Sequence, residues 1–101
     1  EEREVVQGHI NVRQVFKVSR FGTIAGCFVQ DGLINRQSRL RLFRDNVLVY
    51  EGKVESLQRF KDQAREVAAG FECGIKISGY DDIKDGDVIE AYTIEEVART
   101  M

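Results

Sequence analysis

A thiol, a carboxylate and a position without a side chain lie next to one another in residues 71–77, Phe-Glu-Cys-Gly-Ile-Lys-Ile. Apolar and non-apolar residues alternate here, which predicts a strand with Phe71 and Cys73 on its buried face. Glu72 and Gly74 then lie on the opposite face. A glycine within a strand is costly unless a ligand or another backbone approaches it. The pattern therefore indicates a small docking surface.

Cys27 and Cys73 are the two cysteines of the chain, and Cys27 lies in a second glycine-rich stretch, residues 22–28. We expect both to be reduced, half-buried thiols, because the sequence shows no secretory signal. A zinc site needs about four cysteine or histidine ligands. The chain has one histidine, His9, besides the two cysteines, so we expect no metal site.

The two thiols and their neighbours have two interpretations. Buried cysteines are most often small core residues. Alternatively, Cys27 and Cys73 line a pocket for an apolar or thioether side chain. In that case Glu72 accepts a hydrogen bond from an amide, and Gly74 lets a ligand lie against the backbone. Residue types alone leave both interpretations open.

No pattern in the sequence favours catalysis. No serine or cysteine has a plausible base near it in the sequence, as nucleophilic catalysis requires. The glycine-rich residues 22–26 lack the lysine and the spacing of a phosphate-binding loop. We therefore expect a binding domain and not an enzyme.

A basic, an aromatic and a second basic residue follow one another at Arg59, Phe60 and Lys61. In an extended chain the two cations share a face and can hold phosphates, while the aromatic ring can stack on a base. The alternative is that Phe60 belongs to the core and both cations are merely solvated. Residue types favour this alternative.

Composition indicates one soluble globular domain, with 43% hydrophobic and 32% charged residues in 101. No apolar run approaches the length needed to span a membrane. Seven basic residues and one acid give residues 13–44 a charge of +6, whereas residues 81–101 carry −5. This asymmetry has two readings: a nucleic-acid-binding face opposed to an acidic face, or an ordinary solvated surface.

Hydrophobic alternation with a period of two dominates the chain and predicts a closed sheet of short strands. In the first strand we expect Ile10, Val12, Phe16 and Val18 to point inward, with Gln14 as an exception. Turns are predicted at residues 19–22, at 31–32 and at 45–46. The predicted strands include residues 10–18, 23–30, 39–44, 47–54 and 87–94.

Residues 57–69 fit two structures. Leu57, Phe60, Ala64 and Val67 recur at helical spacing, and Gly70 would end such a helix. The many strands elsewhere favour a strand through Phe60, a turn at residues 61–63 and a short strand at 65–68. We prefer the second interpretation.

Blocks of sequence along nearly the whole chain carry a family resemblance. The most specific are Thr-Ile-Ala-Gly-Cys at 23–27 and Gly-Phe-Glu-Cys-Gly at 70–74. Further blocks are residues 12–19, 50–52, 56–57, 59–62, 66–68 and 85–92. Together they resemble the carboxy-terminal domain of bacterial translation initiation factor two.

The resemblance implies an all-β fold, a small antiparallel β-barrel of about six to seven strands similar to domain II of translational GTPases such as elongation factor Tu. Residues 1–101 would form a single domain, the carboxy-terminal one of a larger multidomain factor. We expect a cytoplasmic monomer that reaches the ribosome through the full-length factor and contacts no membrane. GTP and Mg²⁺ would belong to another domain, so this one would need no cofactor.

In the family this domain recognises the formylmethionyl acceptor end of initiator transfer RNA. The resemblance implies a binding surface formed by Cys27, Gln58, Arg59, Phe60, Lys61, Glu72, Cys73 and Gly74. Family members often have lysine at the position of Gln58, so Gln58 is expected to hydrogen-bond and not to bind phosphate as a cation. Glu72 is expected to face Arg59, Lys61 or backbone N–H groups. The alternative function is a protein-interaction barrel that docks on the ribosome or on a neighbouring domain.

Overall fold

The computed structural model describes residues 1–96, and these form eight β-strands. Nothing within residues 1–96 forms a helix that is able to cross a lipid bilayer. The strands are β1 (Glu2–Val18), β2 (Gly22–Asn35), β3 (Arg39–Arg44), β4 (Val47–Arg59), β5 (Asp62–Gln63), β6 (Glu66–Ala68), β7 (Glu72–Ile77) and β8 (Val88–Glu96).

Six of these strands form a closed antiparallel ring. Its order is β1-β8-β3-β4-β7-β2, and pairing between β1 and β2 closes it. The short strands β5 and β6 pair with the outer parts of β4 and β2. The expected small antiparallel β-barrel is thereby confirmed. Closure removes the unpaired edges that an open sheet would expose.

The core lies inside the ring and is built from the inward-facing residue of each alternating pair. Branched aliphatic side chains fill it, and each contributes about 1.5–3 kcal/mol of burial free energy. Both cysteines belong to this core, at 3% and 6% exposure, and are therefore buried and not half-buried as expected. Fully buried members include Ile10, Val29, Ile34, Leu57, Ile75, Ile77 and Ile89.

A β-bulge in β1 overturns the prediction for its second half. The register with β2 shifts between Val12 and Gln14, so one extra residue reverses the alternation that follows. Phe16 and Val18, predicted to point inward, are 49% and 44% exposed, and Val15 packs against the core instead.

The predicted turn at residues 31–32 is also wrong, because β2 continues through it. Gly32 has a φ of 63° next to a register irregularity between β1 and β2. The glycine therefore bends the strand without ending it. By contrast, Asp45 and Asn46, with φ values of 53° and 64°, form the predicted two-residue turn between β3 and β4.

Residues 57–69 contain no helix, so the preferred extended interpretation is confirmed. Leu57 and Val67 are both buried in the ring, and the N–H of Ala64 donates to the carbonyl of Leu57 at 2.9 Å. The predicted strand through Phe60 ends one residue earlier, at Arg59. The turn predicted at residues 61–63 lies instead at residues 60–61, because residues 62–63 form β5. Tertiary burial therefore overrides the local helical spacing.

The charge asymmetry does not separate into two opposed faces. Arg41 of the basic segment contacts Glu90 at 3.1 Å, and Arg44 contacts Asp87 at 2.8 Å. Both acids come from the acidic segment, which lies beside the basic one because β8 pairs with β3. Much of the apparent basic excess is therefore neutralised within the fold.

Candidate functional site

A cleft of about 580 Å³ opens where β1, β2 and β7 approach the turn between β4 and β5. Its volume lies within the range of small-molecule binding pockets. We call it the cysteine cleft. Its lining residues are Arg13, Gln14, Phe16, Gly26, Cys27, Phe60, Glu72 and Cys73.

The pairing of β2 with β7 brings the two cysteines to this cleft. Cys27 lies opposite Cys73, and Gly26 lies opposite Gly74. Both thiols are free, and the Cys27 thiol contacts the Ala25 carbonyl at 3.3 Å. The cysteines face inward and the glycines face outward, so the sulfur atoms lie on the inner side of the wall and the two residues without side chains lie on its outer side.

The chemistry of the thiols is set by their burial. Burial raises the pKa of Cys27 well above its ordinary value, and the neighbouring Cys73 adds to this. Burial also raises the pKa of Cys73 to about 11, against a smaller opposite effect from the positive charge of Arg59. Both thiols are therefore protonated at neutral pH, and they act as compact, polarisable core groups and not as nucleophiles. Within residues 1–96 no acid, histidine and cysteine side chains cluster as a metal site.

The bulged part of β1 supplies the opposite wall. The ring of Phe16 lies against the backbone of β2, since a Cβ atom added at Gly26 would lie 3.0 Å from Phe16 Cε2. The Arg13 guanidinium lies 4.7 Å from the centre of the Phe28 ring and has no ion-pair partner among residues 1–96. Sequence reasoning missed this wall. Gln14, which did not fit the alternation, was the one sign of the bulge.

The rim of the cleft is formed by the turn after β4. Phe60 has a φ of 56° and is 90% exposed. The alternative that Phe60 belongs to the core is therefore wrong, as is the extended conformation assumed for Arg59–Lys61. The Arg59 guanidinium lies 5.2 Å from the centre of the Phe60 ring and 4.7 Å from that of Phe71. Two aromatic contacts hold this cation in place.

Arg59 also joins the rim to β7. Its Nε donates to the backbone carbonyl of Glu72 at 3.2 Å. The Glu72 carboxylate makes no ion pair with the residues that the structure describes, although it was expected to face Arg59 or Lys61. Glu72 instead lines the cleft. Phe71, predicted to be buried, is 49% exposed because β7 begins one residue after it.

Four of the eight predicted site residues line the cleft: Cys27, Phe60, Glu72 and Cys73. The other four lie outside its lining, although Arg59 contacts it through Phe60 and Glu72. Gln58 is the register partner of Gly74 on the outer face of β7. Lys61 is exposed in the turn beyond Phe60.

The cleft therefore combines three kinds of surface within a few residues of one another. The two protonated thiols, at 3% and 6% exposure, offer a small apolar, polarisable contact at its floor. The exposed ring of Phe60 offers a stacking platform. The guanidinium groups of Arg13 and Arg59 offer planar donors to phosphate or carbonyl oxygen.

Comparison with known proteins places this geometry in a family. A family model described as Elongation factor Tu domain 2 matches residues 22–90. Translation initiation factor IF-2 of Moorella thermoacetica is 56% identical over 101 residues, which cover all of this chain and 11% of that protein. The same factor of Geobacillus stearothermophilus is 59% identical over 99 residues, covering 98% and 13%.

A solved structure supports the fold alone. GDP-bound aIF5B from Aeropyrum pernix aligns with a TM-score of 0.72 at 20% identity, over 88% of this chain and 17% of that one. The chain spans 11% to 14% of the length of the curated IF-2 relatives that it matches. It matches a domain-sized part of IF-2, and by its sequence and its closed six-stranded ring it belongs to the Elongation factor Tu domain 2 family.

Proposed function

We propose that this chain binds the formylmethionyl acceptor end of initiator transfer RNA, as the carboxy-terminal domain of an initiation factor that acts at the ribosome. The observation that carries the proposal is the cysteine cleft, where Cys27 and Cys73 lie beside the exposed ring of Phe60. The curated relatives are named translation initiation factors, which supports the setting.

The amino-acid part of the ligand enters the cysteine cleft, over the paired strands β2 and β7. A methionyl side chain is long, apolar and polarisable, and it lies against the Phe16 ring and the outer backbone at Gly26. It reaches only the small exposed parts of Cys27 and Cys73, which are 3% and 6% exposed. The glycine pair, Gly26 and Gly74, adds no side chain to the outer surface of these strands, where the Phe16 ring lies over Gly26 and the side chains of Gln58 and Ile24 lie beside Gly74. The thioether sulfur therefore contacts the aromatic carbon of Phe16, which is a favourable pairing.

The RNA part of the ligand lies on the rim. The terminal base stacks on Phe60, whose ring is 90% exposed, as aromatic side chains do with single-stranded bases. Arg59 and Arg13 donate to the phosphate or to the ester carbonyl of the terminal nucleotide. Lys61, one residue beyond Phe60, adds a second cation for the phosphate backbone.

Discrimination rests on the charge of the amino group. A free α-ammonium would be taken out of water beside two guanidinium groups, those of Arg13 and Arg59, which repel it. A formylated amine is neutral and donates one N–H, for which the Glu72 carboxylate is an acceptor. Glu72 also attracts an ammonium, so discrimination requires that the repulsion from the two arginines exceeds this attraction.

Nucleotide hydrolysis has no place in this proposal. The family is a non-catalytic domain of translational GTPases, and both thiols are too buried to react. GTP and Mg²⁺ would be bound by another part of the full-length factor.

The test is a titration of the chain with initiator transfer RNA carrying either formylmethionine or free methionine. We expect at least about tenfold tighter binding of the formylated form, which corresponds to about 1.4 kcal/mol. Equal affinity for the two forms would contradict the proposal.

A second candidate function is a protein-interaction domain, and one observation favours it. Val47, Leu48 and Val49 are consecutive and exposed by 60%, 45% and 38%. A continuous run of exposed apolar residues is typical of a contact surface. Indifference to the formyl group, together with binding to a ribosomal protein that Leu48→Asp abolishes, would favour this function over the first.

A further inference from the structure

A second cleft, of about 400 Å³, lies beside β6, and its lining residues are Asn35, Arg36, Gln37, Arg65 and Glu66. The connection from β2 to β3 forms one side, and the connection from β5 to β6 forms the other. The N–H of Arg36 donates to the carbonyl of Arg65 at 3.1 Å. This backbone bond fixes the two arginines side by side.

The charge of this second cleft is not neutralised by the fold. Neither Arg36 nor Arg65 makes an ion pair with any carboxylate among residues 1–96, whereas Arg41 and Arg44 are each fully engaged. The Arg36 guanidinium donates a hydrogen bond to the neutral side chain of Gln63. With Glu66 as the one acid, the lining carries a formal charge of +1.

The β4–β5 hairpin links the second cleft to the rim of the cysteine cleft. Arg59 and Asp62 are register partners in the pairing of β4 with β5, on either side of the turn that holds Phe60. The next residue, Gln63, contacts Arg36. From Lys61 to Arg65 the chain covers four peptide units, so their Cα atoms are at most about 14 Å apart. A strand whose end lies on Phe60 therefore reaches Arg36 and Arg65 within a few nucleotides.

We propose that Arg36 and Arg65 bind a backbone phosphate of the RNA whose aminoacylated end occupies the cysteine cleft. The inference rests on the proposed function and extends it by giving the RNA a path along residues 59–66. Guanidinium groups pair with phosphate through two parallel hydrogen bonds. Because such contacts read the backbone and not the bases, this cleft contributes affinity and orientation without sequence preference.

The experiment compares two ligands, formylated initiator transfer RNA and formylmethionyl-adenosine, which has no phosphate. The double variant Arg36→Ala/Arg65→Ala should bind the transfer RNA about tenfold more weakly. Its slope of log K against log salt should be shallower by about 0.7–0.9. Its affinity for formylmethionyl-adenosine should equal that of the unmodified chain.

Arg39→Ala is the matched control, because Arg39 is exposed, makes no ion pair within residues 1–96 and lines a different depression with Glu51 and Lys53. It should leave affinity and salt slope unchanged. An unchanged salt slope in the double variant, with formyl preference intact, would overturn this inference alone. If the unmodified chain shows no preference for the formylated form, while its salt slope still depends on Arg36 and Arg65, the proposed function alone would be overturned.

Discussion

Cys27 and Cys73 are direct cross-strand neighbours, each the register partner of the other in the pairing of β2 with β7. A slip of one residue in either strand would turn its cysteine from the inner to the outer face. The thiol surface of the cleft therefore depends on the register of the ring, and the neighbouring glycine pair depends on it equally.

Phe60→Ala should separate binding from stability. The ring is 90% exposed, so its removal should change the free energy of unfolding by less than about 0.5 kcal/mol. Loss of base stacking should weaken binding of formylated transfer RNA by about 1–3 kcal/mol. The control is Phe21→Ala, which removes another exposed ring outside the cleft lining. Equal binding losses in both variants would contradict the role of Phe60.

Arg13→Ala tests the wall that the β1 bulge creates. If Arg13 donates to a phosphate, its loss should weaken transfer RNA binding and make the salt slope shallower by about 0.7. Arg59→Ala should act similarly from the rim. Lys17→Ala is the control, since Lys17 is exposed on the same strand but does not line the cleft. An unchanged slope in Arg13→Ala would exclude a phosphate contact there.

Gly74→Val should obstruct the outer surface of β7 while the chain still folds. A Cβ atom at Gly74 would lie 3.3 Å from Gln58 Cγ and from Ile24 Cγ2, so these side chains must shift slightly. The stability cost should be about 1–3 kcal/mol, as for mild overpacking. Affinity for formylated transfer RNA should fall in the order Gly74, Ala, Val. Full affinity of a folded Gly74→Val variant would show that ligand does not approach there.

Arg44→Ala should destabilise the ring far more than loss of a surface pair. Burial by itself would raise the pKa of Asp87, but hydrogen bonds from the Arg44 guanidinium and the Lys84 N–H hold that pKa below its ordinary value. In the variant the Asp87 carboxylate, which is only 2% exposed, stays buried without its cation. The melting temperature at pH 7 should fall by more than about 5 °C.

The matched control for Arg44→Ala is Arg3→Ala, which breaks an exposed pair with Glu95 and should shift the melting temperature by less than about 2 °C. The stability that the Arg44–Asp87 pair supplies is present above the ordinary pKa of aspartate. It is lost as the pH falls through the lowered folded-state value. If the difference in melting temperature between Arg44→Ala and Arg3→Ala persisted unchanged below that pH, charge pairing would not explain it.

His9 should make stability depend on pH near neutrality. A hydrogen bond from its ring to Asp31 raises the pKa of His9, with a further contribution from Glu90. The stabilisation is therefore complete below the unfolded-state pKa near 6.5 and disappears as the pH rises through the folded-state value. Since the pair is solvent-exposed, the effect should be below about 1 kcal/mol.

Chemical denaturation of the unmodified chain and of His9→Gln between pH 5.5 and pH 9 measures the effect of His9. The two curves of unfolding free energy should converge at the alkaline end and separate at the acid end. Parallel curves would mean that His9 gains no proton affinity on folding.

The alternating stretches of the sequence were sufficient to predict the closed sheet. Where they gave the wrong orientation for a side chain, local backbone geometry was the reason. Cys73, Ile75 and Ile77 follow the simple alternation because β7 is regular and paired on both sides. Phe71 does not, since the strand begins after it and Arg59 holds its ring outside. The pattern of residues 57–69 was ambiguous until the burial of Leu57 was known.

The candidate site was predicted only in part for the same reason. The wall containing Arg13 and Phe16 exists because of a bulge, and a single inserted residue leaves no trace in composition. The exposure of Phe60 follows from a left-handed backbone conformation that its residue type does not favour. Register brought Cys27 to Cys73, and the two are 46 positions apart in the chain.

The central claim is that the cysteine cleft receives the formylmethionyl group. The most direct measurement is a titration of the ¹⁵N-labelled chain with formylmethionyl-adenosine, followed by amide chemical shifts. We expect saturable shifts at Gly26, Cys27, Glu72 and Cys73, and none of comparable size around Val47 in the hairpin of β3 and β4. Shifts confined to residues outside the cleft, or no shifts at the highest concentration at which formylmethionyl-adenosine is soluble, would contradict it.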